Sequence, residues 1–230
     1  MIKENLVTAR EQIRNACKRA GREETEVTLI AVSKTKPLSM IQEAYAAGMR
    51  EFGENKPQEM RDKAKLFDAP VNWHMIGSLQ TNKIKYVVGT ACLIHSVDSV
   101  ALAAAIEKEA AKKELVMDIL LEVNMAKEES KHGLLEDEVL PAVVEIAKMP
   151  HLRIKGLMTV APYTENAEEN RIYFRKMKEL LVDIKTKNID NVFMDILSMG
   201  MTSDFEVAIE EGATMVRIGT GIFGERDYSH

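Results

Sequence analysis

Cysteine is scarce in this chain. Two occur in 230 residues, Cys17 and Cys92, with no C-x-x-C spacing, which argues against a disulfide framework or a structural zinc site and fits the reducing cytoplasm. No apolar stretch approaches the roughly 20 residues that cross a bilayer. Met1-Ile2-Lys3-Glu4-Asn5 opens a charged amphipathic segment rather than a signal peptide. No membrane partner is expected. Clustered positive charge is missing as well: the net charge is -5, and Lys108, Lys112 and Lys113 alternate with Glu107, Glu109 and Glu114 as on a solvated helix face. Nucleic-acid binding needs a concentrated basic surface, so no such partner is expected. There is no linker or low-complexity tract. Residues 1–230 read as a single domain, and 29% charged with 46% hydrophobic residues suits a folded protein.

What is present is an alternation. Short apolar runs at 27–34, 51–55, 71–77, 93–97, 116–124, 154–160, 195–200 and 215–219 read as strands. Helical patterns lie between them at 38–48, 57–67, 82–88, 99–113, 135–149, 166–187 and 204–212. Phe174, Met177, Leu181 and Ile184 recur at the spacing of one buried helical face. Ser99 and Asp204 suit helix starts, and Gly48 and Gly212 suit helix stops. An N-terminal helix carries Ile2, Leu6, Ile13, Cys17 and Ala20 on one stripe and ends near Gly21. Strands separated by helices pair in parallel. Eight of them close most naturally into a (β/α)8 TIM barrel, with the first helix as an extra layer. An open doubly wound sheet is disfavoured, because no G-x-G-x-x-G follows the first strand.

In such a barrel the chemistry gathers at the C-terminal ends of the strands. The first strand delivers Lys34 there, where an amine against apolar walls loses charge solvation and becomes a nucleophile toward carbonyls. Lys36 shares its face but lies beyond the strand and precedes Pro37, so the imine is assigned to Lys34. Ser198-Met199-Gly200-Met201-Thr202-Ser203-Asp204 runs from strand 7 into a helix, and Arg217-Ile218-Gly219-Thr220-Gly221-Ile222-Phe223-Gly224 follows strand 8. Gly-rich turns of this kind can simply close the barrel. Two adjacent ones, at the loops where these barrels often bind phosphate, point to an anion cup instead. Alternation along strand 8 aims Arg217 into the barrel, where it needs a partner such as Glu122, Asp118 or a ligand nitrogen. Lysine, phosphate cup and lumenal arginine together describe a pyridoxal 5′-phosphate site. A permanently cationic arginine at the pyridine nitrogen would weaken the cofactor as an electron sink.

At this point the chain resembles a family, the pyridoxal phosphate homeostasis proteins of the YggS/PROSC group, which share the N-terminal barrel of alanine racemase, the type III fold of pyridoxal phosphate enzymes. The resemblance rests on Ala31-Val32-Ser33-Lys34-Thr35-Lys36-Pro37, Phe52-Gly53-Glu54-Asn55 and the segment from Trp73 to Lys83. It continues through Ser130-Lys131-His132-Gly133, Gly156-Leu157-Met158, the segment from Leu197 to Asp204 and that from Val216 to Gly224. Small departures are Ser78 and Thr81, where proline and serine are commoner, and Lys56, where an aromatic residue usually follows Asn55. The resemblance implies Lys34 as the Schiff-base lysine and Asn55 beside the cofactor ring. It implies that Ser198, Gly200, Met201, Thr202, Ser203, Gly219 and Thr220 hold the phosphate, with Arg217 at the ring nitrogen. It implies a monomeric cytoplasmic carrier that binds pyridoxal 5′-phosphate and other B6 vitamers and delivers the cofactor to dependent apo-enzymes.

Two enzymatic readings compete with a carrier. A pyridoxal phosphate-dependent amino-acid racemase needs a second base, usually from an extra β-domain, and the chain reaches His230 a few residues after the last strand, leaving the mouth open. A class I aldolase using Lys34 alone explains Arg217 and the two-loop cup less well, and such enzymes tend to place the lysine on a central strand. Among the remaining residues, His74 reads as a hydrogen-bonded core histidine, and His95, His132 and His151 as structural or surface groups without metal-ligand spacing. Most methionines read as core filling, with Met199 and Met201 lining the cofactor loop, and 165–169 as a solvated first helical turn.

Overall fold

The apolar runs become eight parallel strands that close on themselves. The computed structural model describes residues 1–225. The strands are β1 (Thr28–Val32), β2 (Glu51–Glu54), β3 (Asn72–Met75), β4 (Leu93–Val97), β5 (Met117–Glu122), β6 (Leu152–Met158), β7 (Val192–Met201) and β8 (Met215–Ile218). The helices are α1 (Ile2–Arg19), α2 (Leu38–Ala46), α3 (Pro57–Leu66), α4 (Val100–Lys112), α5 (Glu136–Ile146), α6 (Arg171–Thr186), α7 (Phe205–Glu210) and α8 (Thr220–Phe223). Each strand pairs with its successor, and β8 returns to β1 in a register running from Thr28↔Met215 to Ala31↔Ile218. The expected (β/α)8 barrel is the one that forms. No helix among the described residues is long and apolar enough to cross a membrane.

Several segments differ in detail. The β3–β4 crossover at 82–88 is not an α-helix but 3-10 turns at Thr81–Tyr86. They still bury Ile84 and cover the gap between α3 and α4. The pattern at 166–187 divides into a 3-10 turn, Ala167–Asn170, and α6. β7 starts earlier than expected because Val192 pairs with Ile154. The glycine-rich stretch after β8 winds into the four-residue α8. Ser99 caps α4 through its hydroxyl, which accepts from Leu102 N–H at 3.2 Å. Asp204 stands at the start of α7 but makes no such cap.

α1 lies across the seam where β8 meets β1, against α2, α7 and α8. It buries Ile2, Leu6, Ala9, Ile13, Ala16 and Cys17. Ala20 is only half-buried, and Gly21 follows at φ +65°. Asn5 Nδ2 donates to the Ile222 carbonyl at 2.9 Å, and Arg22 Nη1 donates to the carbonyls of Ile209 and Ala213 at 2.7 and 2.9 Å. Inside the barrel, Leu93, Leu120 and Met158 form a small apolar cluster with Ile196 and Met215. The lumen also carries Ile30 and Ile76 beside Gly53, and next to these a run of polar groups from His74 to Arg217 that positions the site.

Candidate functional site

β1 stops at Val32, so Lys34 lies half-buried in a turn beyond the strand rather than at its last position. Thr35, next to it, sits at φ +62°. A non-glycine residue stays in that region only where its surroundings hold it. Two clamps do so. Behind the turn, Lys63 Nζ on α3 donates at 2.7 Å to each of the Ser33 carbonyl, Glu54 Oε1 and Glu59 Oε1. Ser33 Oγ donates to Glu54 Oε1 at 2.6 Å, and Thr35 N–H to Glu59 Oε1 at 2.6 Å. On the other side, Lys36 Nζ donates to the carbonyls of Phe223, Gly224 and Glu225 at 3.2, 3.1 and 2.9 Å. An ammonium has three donors, so Lys36 is committed to tying the β1–α2 loop to the segment after β8.

That segment faces the β7–α7 loop. At Gly200, φ is +91°, and a Cβ would stand 2.6 Å from Ala208 Cβ and 2.8 Å from Phe205 Cα. Only glycine lets the end of β7 lie this close to α7. Beyond it Met201, Thr202 and Ser203 are exposed, while Met199 is buried and lines no loop surface. Asp204 holds the turn from behind: its Oδ1 accepts from Met201 N–H at 2.7 Å and its Oδ2 from Asn170 Nδ2 at 2.9 Å. Gly219 N–H donates to Thr202 Oγ1 at 3.3 Å, and Thr220 Oγ1 lies 3.4 Å from the same oxygen. The N–H groups of Thr220 and Gly221 open α8 and have no carbonyl within the helix to meet. Asn55 follows β2, half-buried. A Cβ at Gly77 would fall 2.6 Å from Asn55 Cα, so glycine there lets the end of β3 close on Asn55.

Arg217 points into the lumen and is 4% exposed. Its partners are not the carboxylates expected. Nη1 donates to Ser198 Oγ at 2.6 Å and Nη2 to the Thr159 carbonyl at 2.9 Å. Asp118 is held instead by Arg153 at 2.6 Å. Burial pulls the Arg217 guanidinium down to about 10, against the opposing charges of Glu122 and Asp204, which leaves it protonated at neutral pH. The hydroxyl of Ser198 thus points at Arg217 and at His95, not into the loop that the sequence assigned to it.

Two comparisons decide the family. The family described as "Alanine racemase, N-terminal domain" matches residues 5–227. A protein of Aquifex aeolicus named pyridoxal phosphate homeostasis protein is 48% identical over 227 residues, covering 98% of each chain. This chain belongs to the pyridoxal phosphate homeostasis protein family. Among solved structures, PipY of Synechococcus elongatus with PLP bound is 33% identical with a TM-score of 0.85, covering 97% of this chain and 100% of that one. Alanine racemase of Clostridium difficile, 12% identical with a TM-score of 0.76 over 99% of this chain and 57% of its own, shares the fold.

In this homeostasis-family barrel, the groups that sequence spacing did not reveal are non-local. Lys63, Glu54 and Asn170 are buried partners of the mouth. The local trace of the first was Glu59 and Lys63, one helical turn apart. His74 is a hydrogen-bonded core group as expected, and His95 is fully buried beside it, the ring centroids 5.1 Å apart. His132 lies on the surface 3.6 Å from Asp98. At the opposite rim, one ligand-type atom from each of Glu51, His74 and Cys92 falls within 4.8 Å of the others. Burial pushes the Cys92 thiol up to about 12. At the mouth, Glu122, Asn124, Lys131 and His132 line a cavity of about 170 Å³. Burial, then the Asp98 charge, raises the Glu122 carboxyl, against His132 and Arg217.

Proposed function

We propose that this chain binds pyridoxal 5′-phosphate reversibly at the C-terminal mouth of the barrel and serves vitamin B6 homeostasis as a carrier rather than as a turnover enzyme. The observation that carries this reading is the convergence on one mouth of a doubly clamped lysine turn, a lumenal guanidinium and the paired loops after β7 and β8. The residues fit the group. When bound, the cofactor supplies an electrophilic aldehyde and an electron-withdrawing ring.

Lys34 Nζ would be the amine that holds the aldehyde carbon, in a condensation that releases one water and that water undoes, as a carrier requires. The hydroxyls of Thr202, Ser203 and Thr220, with the backbone N–H groups of Thr220 and Gly221 that the Gly219 turn presents, suit the phosphate, and Gly200 and Met201 shape that loop. Asn55 flanks the ring. Arg217 can only donate to the ring nitrogen, which keeps that nitrogen unprotonated and limits carbanion chemistry. In this reading residues 1–230 form one binding unit. It works as a cytoplasmic monomer, accepts related B6 vitamers, and passes the cofactor to dependent apo-enzymes through the open mouth.

The test is uptake of added pyridoxal 5′-phosphate followed by absorbance, then borohydride reduction and peptide mass analysis. An imine band absent in Lys34→Ala and a reduced adduct on Lys34 are expected. An adduct confined to Lys36, or no uptake, overturns the reading. Incubation with D- and L-amino acids is expected to give no rapid racemisation.

A further inference from the structure

Part of the lumen is lined by a single file of polar groups instead of aliphatic ones. Glu51 Oε2 lies 2.7 Å from His74 Nε2, and His74 Nδ1 lies 2.9 Å from His95 Nε2. His95 Nδ1 lies 2.9 Å from Ser198 Oγ, which receives Arg217 Nη1 at 2.6 Å. β2, β3, β4, β7 and β8 contribute one member each. The Glu51 side chain is 25% exposed at the rim, and the other four residues are 4% exposed or less.

The direction of the protons in this file follows from its ends. A guanidinium only donates, so Ser198 Oγ accepts from Arg217. Ser198 is fully buried, and the acceptor within the file for its own proton is His95 Nδ1. His95 then carries its proton on Nε2 and donates to His74 Nδ1. His74 carries its proton on Nε2 and donates to Glu51, whose carboxylate only accepts. Each link holds one proton, both rings are neutral, and every bond points from the cation toward the anion. The opposite direction would set two donors against one serine oxygen and leave the hydroxyl proton no place in the file. The electrostatics agree. Burial first, and then the Arg217 cation, hold His95 well below the usual histidine value. Glu51 is held low by its bonds to His74 and Asn72 despite its burial.

We propose that Ser198, His95, His74 and Glu51 are positioning residues for Arg217: a hydrogen-bond file of fixed direction, anchored at the N-terminal ends of the strands, that sets the guanidinium and aims its remaining N–H groups at the ring nitrogen of the cofactor. The proposal rests on the cofactor reading above. It moves Ser198 from the phosphate to the ring side. It also gives Glu51, at the opposite end of the strands from Lys34, an influence on a ligand it never touches. Because His74 Nε2 carries a proton, the Glu51–His74–Cys92 group is a hydrogen-bonded end rather than a metal site.

The test has two arms on the full chain. Nitrogen-15 NMR of the histidine side chains without cofactor is expected to show neutral Nε2–H tautomers for both His74 and His95; an Nδ1–H on His95 overturns the proposal. Titration with pyridoxal 5′-phosphate then compares wild type, Glu51→Leu and Glu51→Gln. Glu51→Leu, which removes the terminal acceptor, is expected to weaken binding about tenfold and to move the visible band, while Glu51→Gln, whose carbonyl still accepts, stays within about twofold. Should Glu51→Leu fail to fold, Ser198→Ala is read for the same loss. A bound cofactor indifferent to these changes, or Glu51→Gln as damaged as Glu51→Leu, overturns the role of the file alone. A wild-type chain that takes up no cofactor overturns the functional reading and with it the aim of the file, while the tautomers still report its direction.

Discussion

Replacing Lys63 by methionine removes the ammonium behind the Lys34 turn while keeping much of its length and packing. Lys63 gives up three bonds of 2.7 Å, to the Ser33 carbonyl, Glu54 and Glu59. Glu54 is the costly partner. It is 0% exposed, its Oε2 has no hydrogen-bond partner, and without Lys63 its Oε1 keeps only the Ser33 hydroxyl. Breaking a buried ion pair by removing one member costs about 3–5 kcal/mol, because a desolvated charge is left behind. For a chain of this size each kcal/mol lowers Tm by about 2–4 °C, so a fall on the order of 10 °C is expected. Urea unfolding gives the free energy, and borohydride trapping on Lys34 gives the consequence for the turn, which should capture cofactor more slowly. The double variant Lys63→Met/Glu54→Leu removes both charges and should recover all but about 1 kcal/mol. The deficit of Lys63→Met also has a pH sign. Burial raises the folded-state pKa of Glu54, so the stability it contributes is present below its unfolded value and is lost as pH rises through the folded value; acidification should narrow the gap to wild type. A single variant within about 1 kcal/mol of wild type would refute the reasoning, as would a double variant no better than the single one.

Gly200→Ala forces a Cβ to within 2.6 Å of Ala208 at φ +91°, and should cost about 2 kcal/mol or more in urea unfolding. Glu122→Gln removes a carboxyl whose pKa is raised first by burial and then by Asp98. Its contribution is lost as pH rises through the raised value, so the variant should gain Tm at neutral pH and lose that gain when both states are protonated, as a thermal series across pH will show. Lys36→Met frees the carbonyls of Phe223, Gly224 and Glu225. It should cost about 1 kcal/mol and speed hydrogen exchange at the amides of α8, with little effect on those of α4.

The order of strands and helices was legible because each strand carries its own apolar run and each crossover its own helical period. The ends were less so. β1 was read through Lys34, yet the β1–β2 ladder last pairs Val32 with Gly53, and beyond it Lys63 and Glu59 bend the backbone at Thr35. Residues 82–88 carry helical spacing but are too few to favour a full α-helix, so tighter turns do the covering. At the site, parity along β8 sufficed to send Arg217 inward, since alternation is local. Its partners were not legible: Ser198 and Thr159 lie 19 and 58 residues away, and the register of β6, β7 and β8 is what brings them together. The same holds for Asn170, which meets Asp204 across 34 residues. The hydroxyls and glycines of the β7 and β8 loops announced a cup, while the buried carboxylate and amide that hold it had no spacing to betray them.

α1 is synthesised before any strand, yet the groups that receive it come last. Its apolar stripe rests on α7 and α8, Asn5 reaches Ile222 across 217 residues, and Arg19 pairs with Glu206 and Glu210. Until those helices emerge from the ribosome, the stripe has only α2 of its native α-helical partners to rest on, and contacts of such separation form slowly. The nascent chain must therefore carry a partly uncovered apolar helix through most of its elongation. The latch on the barrel's seam is at the same time the segment most in need of shelter while the protein is being made.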